Sequence, residues 1–199
     1  MTKRMKTITL LMLGLLFFGG ACGTAWADAA GPSVHEEALL ALINQARQNP
    51  LAAAAAMGMD SEQILRDLPE LETILREGLP PVAFNGTLHQ TAQAHMQDMF
   101  GNGYYSHDSL DGQGFDARIR NSGYPAVATG ESLGMLAFAN FIDPEEAVQR
   151  IFEFMYWDEL NPSRTEKRNI LNPDLDEAGV SIDTGVMNLG GIPWNVYLA

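Results

Sequence analysis

Residues 104–135 read YYSHDSLDGQGFDARIRNSGYPAVATGESLGM, and the rest of the chain is understood from them. The stretch brings one imidazole, His107, and one carboxylate, Glu131, into segments punctuated by glycine. Turn residues on both sides place His107 in a loop and Glu131 at the mouth of a strand, positions that carry ligands or protons more often than packing. Between them, Phe115 and Ile119 share one face of a short amphipathic piece whose other faces carry Asp116, Arg118 and Arg120.

Working outward, Leu39, Leu42, Ile43 and Ala46 recur at helical spacing and predict a helix over 35–48, started near Ser33 and stopped by Asn49-Pro50. Asn44 and Arg47 are polar on it, and the plainest role for each is to hold a neighbouring loop. Residues 51–59 are alanine-rich, and 61–77 carry an apolar stripe of Ile64, Leu65, Leu68, Leu71, Ile74 and Leu75, with Ser61 as the expected cap and Pro69 as the expected kink. A second strong helix is predicted over 85–100, with His95 at the core edge and His89 in solvent. Asp143-Pro144-Glu145-Glu146 opens a third, running to about 157. Beyond an acidic corner at 157–161 the pattern gives a strand over 179–182, a glycine-bearing loop over 185–191 and a closing strand over 194–198. Helices around a small antiparallel sheet make this an α+β chain.

Several motifs carry a family resemblance. Ser106-His107, the short helix ending in Ser122-Gly123-Tyr124, and Gly130-Glu131 before an apolar strand resemble the CAP superfamily of cysteine-rich secretory, antigen 5 and pathogenesis-related proteins. Leu42-Ile43-Asn44-Gln45-Ala46-Arg47 looks like its first helix, and Phe84-Asn85-Gly86-Thr87-Leu88, with Ala92 and His95, looks like its second. Pro162-Ser163-Arg164, Arg168-Asn169-Ile170-Leu171-Asn172-Pro173 and Ala178-Gly179-Val180 resemble the late signature of its bacterial branch. The resemblance implies an α-β-α sandwich over 36–199, with 28–35 as a linker and 51–80 as a helical insertion. That insertion reads as a lid, a partner surface or an extra packing layer.

The family often gathers two His and two acids in a central cleft able to hold a divalent metal, which implies His107, Glu131 and one acid of the 157–161 corner. Glu159 is favoured over Asp158, and Glu153 is a further option. Glu166 stands where the resemblance has the second His, so the donor set suits calcium, magnesium or manganese better than zinc, or else no metal, with Glu166 paired to His107. Ser106, Asp158, Ser132 and Asn169 are the supporting polar groups. Ser106 beside His107 makes a poor hydrolytic dyad, because chain neighbours seldom point at each other. Tyr104, Tyr105, Tyr124 and Trp157 flank the cleft in sequence and suit either a groove for a lipid-like or glycan ligand or the core. The leading expectation is a non-enzymatic domain binding a small extracellular or envelope ligand at His107, Glu131, Glu159 and Glu166. A metal-assisted envelope hydrolase and a protein-interaction module using 51–80 are the alternatives.

Composition narrows the partners. The chain has 199 residues, 12 basic against 25 acidic, and a formal charge of -13. Lys3, Arg4 and Lys6, an apolar run over 8–18 and Ala25-Trp26-Ala27 read as a signal peptide over 1–27, and its removal takes the balance to 9 minus 25, or -16. Phosphate would be repelled, which excludes nucleic acid as a partner, and the apolar run is too short to span a bilayer. Export to the periplasm or outside the cell follows. Cys22 offers lipid anchoring as the alternative, and cleavage after Ala27 would remove the one cysteine and with it any disulfide.

Overall fold

The computed structural model describes residues 31–164 and 167–199. The expected signal peptide, Cys22, Thr165 and Glu166 lie outside the described residues. Helix α1 spans Val34–Gln48; Ser33 Oγ accepts from Glu36 N–H while Glu36 reaches back to Ser33 N–H, closing a capping box. The insertion forms α2 (Pro50–Ala56), α3 (Ser61–Asp67), a 3₁₀ turn (Pro69–Leu71) and α4 (Glu72–Glu77). Pro69 splits the run as expected, but Asp60 is the cap of α3, not Ser61; its carboxylate accepts from Glu62 and Gln63 N–H. Helix α5 (Gly86–Asn102) is capped by Asn85 and ends at Gly103 in the left-handed region. Short α6 (Phe115–Asn121) and long α7 (Pro144–Glu159) follow, the latter entered through the Asp143 cap and Pro144 as the sequence requires.

Strands β1 (Ala83–Phe84) and β3 (Glu177–Ala178) form a short parallel pair. The main sheet is antiparallel in the order β2, β5, β4, from Met135–Phe138, Ile192–Leu198 and Asp183–Leu189. Here the structure corrects the sequence reading: the strand expected over 179–182 begins at Asp183, and the loop expected over 185–191 is mostly strand. The cause is a two-residue turn, Gly190-Gly191, with φ of +62° and +86°, which matches the twist of a tight hairpin and lets Leu189 pair with Ile192.

Alternation across this sheet builds the sandwich. Met135, Met187, Val196 and Leu198 pack with Met96 and Met99 of α5 on one face. Leu136 and Tyr197 turn to the other face, toward Leu39 and Ala46 of α1 and Ile151, Phe152 and Met155 of α7. Ala54, Ile64, Leu65, Leu68 and Leu75 of the insertion join that same core, and Tyr156 donates to the Pro50 carbonyl at 2.9 Å. The insertion is therefore a packing layer of the domain. No helix among the described residues is long and apolar enough to cross a membrane.

Candidate functional site

His107 and Glu131 meet, 24 residues apart in sequence. The His107 Nδ1–H donates to Glu131 Oε1 at 2.8 Å, and Arg118 Nη2 holds the other oxygen at 2.7 Å. Arg118 comes from α6, the amphipathic piece between them, and its Nη1 donates to the carbonyls of His107 and Gln113 and to Ser109 Oγ. One guanidinium thus fixes both the loop that presents the imidazole and the carboxylate that orients it. Sequence reasoning placed Arg118 on a polar face and missed this role; its spacing midway between two expected site residues was the available signal.

Glu131 is held from behind. Asn169 Nδ2 donates to the Glu131 carbonyl at 2.7 Å and to Ser132 Oγ at 3.1 Å, which places both of these residues beside Glu131. Gly130 is what permits this approach, since a Cβ there would lie 2.3 Å from Asn169 Oδ1. Ser106 points elsewhere: its hydroxyl accepts from Asp108 N–H and its carbonyl receives His95 Nε2–H at 2.9 Å, which makes His95 the core-edge partner expected of it.

The structure does not bring Glu159 to this cluster. Glu159 is 1% exposed in the core, with its carboxylate accepting from Leu171 N–H, and burial raises its pKa above the ordinary range. Two cations act on it: Arg168, and Arg47, 2% exposed, which donates to the carbonyls of Pro80, Ile170, Asn172 and Leu175. Arg47 and Glu159 clamp the loop at 170–175, the cation taking carbonyls and the anion an amide; burial pulls the Arg47 pKa down against the pull of Glu159. Asn44 makes the matching contact to Val82, donating to its carbonyl and accepting from its N–H. Asp158 pairs with Arg164. Trp157 stays mostly exposed over a small hollow against α3.

Glu166, one of the expected cleft carboxylates, lies outside the described residues. Among the described residues no group of three His, Cys, Asp or Glu side chains is placed to hold a metal ion, and the cationic Arg118 already neutralises the second oxygen of Glu131.

Beside Glu131 opens a cleft of about 670 Å³ between α1, α5, α6 and the loops at 124–132 and 169–179. Ile43, Leu88, Ala92, Ile119, Met155 and Leu175 make its walls apolar. At one end stand Glu131, Ser132 and Asn169; elsewhere the lining carries Arg47, Thr91, Thr129, Asp174, Asp176 and Glu177, the last of which β1–β3 pairing sets opposite Ala83. The Tyr124 hydroxyl donates to Glu177 Oε2, as does Asn85 Nδ2 at 3.1 Å. That bond to a carboxylate pushes the Tyr124 phenol up to about 12. Glu177 escaped sequence reasoning because nothing in its own neighbourhood marks it; only the crossover of β3 onto β1 brings it to the cleft.

His89, expected in solvent, is buried with its Nδ1 2.6 Å from the Val180 carbonyl and 3.9 Å from Glu36. Gly179 explains the difference: its missing side chain lets the segment after β3 press against Leu88 and His89, where a Cβ would sit 2.0 Å from backbone.

Neither the curated proteins nor the solved structures contain a significant match to the chain. The model of the cysteine-rich secretory protein family, CAP, matches residues 40–186, within which the His107–Glu131 pair, β2 and α7 all fall. The chain belongs to the cysteine-rich secretory protein family.

Proposed function

We propose that this protein is an exported binding domain that takes a small, mostly apolar ligand into the cleft beside Glu131. Domains of this family are typically extracellular, which agrees with the leader expected over 1–27. The observation that carries the reading is the cleft itself: its volume falls within the range of small-molecule sites, its walls are apolar, and its few polar groups sit at defined places. Glu131, held by His107 and Arg118, makes a fixed polar end to the cleft that orients a ligand. A catalytic role would require a group positioned to attack, and the hydroxyls of the cluster are engaged elsewhere: Ser106 in its own loop, Ser109 with Arg118 and Ser132 with Asn169.

Fluorescence titration with N-phenyl-1-naphthylamine, a neutral dye that brightens in apolar surroundings, tests this. Saturable enhancement is expected, and Ala92→Phe, which fills the cleft from α5, should weaken it at least tenfold with an unchanged melting temperature. Absence of enhancement, or equal binding by the filled variant, would refute the reading.

A further inference from the structure

The cleft carries carboxylates and offers no cation to a ligand. Its lining contains one guanidinium, Arg47, and that group is committed to the carbonyls of Pro80, Ile170, Asn172 and Leu175. Arg118, behind Glu131, is likewise spent on that carboxylate and on three further oxygens. Among the described residues no lysine lines the cleft. The two glutamates of the lining differ in one respect: Glu131 is neutralised by Arg118, whereas Glu177 receives only neutral donors, the Tyr124 hydroxyl and the Asn85 amide. Both of these donors converge on Oε2, which leaves the charge of Glu177 uncompensated and the lone pairs of Oε1 for a ligand. Asp174 and Asp176 on the same turn add charge of the same sign.

We infer that the cleft selects an apolar molecule bearing a protonated amine, with Glu177 as its counter-ion, and rejects molecules ending in a carboxylate. The inference rests on the cleft being a binding site and adds the chemistry of the ligand. A half-buried carboxylate with neutral neighbours gains a charge-assisted hydrogen bond from an ammonium, and an anionic head would meet like charge without a compensating donor. An alkylamine is protonated at neutral pH, as a lysine side chain is. Tyr124 contributes by holding the carboxylate in one orientation, so that an incoming ammonium finds its acceptor already placed.

Isothermal titration at pH 7 with dodecylamine, dodecanol and dodecanoate, each below its micelle concentration, separates the contributions. The expected order is dodecylamine about tenfold tighter than dodecanol, with dodecanoate weakest. Glu177→Gln, which keeps the shape and an acceptor for Tyr124, should leave dodecanol binding unchanged and abolish the advantage of the amine. Equal affinities for the three probes, a preference for dodecanoate, or an amine preference that survives Glu177→Gln would overturn the selectivity while leaving the cleft a binding site. If none of the three binds, the underlying reading falls as well.

Discussion

At the scale of single residues, buried charge decides stability more than the polar rim does. Arg47→Met would leave four carbonyls without their donor and remove one of the two cations acting on Glu159, the other being Arg168, an expected loss of about 3 kcal/mol or more in urea unfolding. A loss below about 1 kcal/mol would contradict the clamp. Glu159 has a folded-state pKa raised by burial above its ordinary value of 4.5. A carboxyl of that kind favours the folded state while protonated, so its contribution is fully present below the unfolded pKa and is lost as pH rises through the folded one. Wild-type melting temperature should therefore fall over that window more steeply than in Glu159→Gln, which keeps an acceptor for Leu171 N–H; identical slopes would refute the assignment. Asn44 and Arg47 were legible as loop-holding residues because polar side chains on an otherwise apolar helix face need partners. Glu159 was misplaced because resemblance assigned it to the cleft, whereas the last turn of α7 points it at the backbone of 169–171. His89 shows the same limit from the other side: helical spacing says which face a residue occupies, but not which strand will come to cover it.

Among the elements, the insertion invites the sharpest test. Leu68 is 1% exposed and packs with α1 and α7, so Leu68→Ala should cost about 2–5 kcal/mol, as in any well-filled core. A cost near zero would restore the insertion to a surface appendage. Gly78, at the end of α4 with φ +75°, lies where a Cβ would touch the Gln48 carbonyl at 2.3 Å, and it closes the insertion back onto α1. The helices were readable almost to their ends because caps and proline mark them: Ser33, Asn85 and Asp143 each do what their position requires. The hairpin was not, because a run of glycines reads as a loop, whereas two of them form the turn and Gly185 lies inside a strand against Phe100. Backbone pairing, not composition, separates those cases.

For the molecule as a whole, 25 acidic against 12 basic residues leave the surface repelling itself. Adding sodium chloride from low ionic strength to about 0.5 M should raise the melting temperature by screening that repulsion, and a fall would show that attractive pairs dominate instead. The wide separation in sequence between β2 and its partner β5 has a temporal corollary. While the polypeptide is being made, β2 emerges long before the strand that will lie beside it, with all of α7 and the turns after it intervening. For that interval a sticky apolar ribbon has no neighbour, and the nascent chain stays pliable enough to be threaded or escorted before it locks shut.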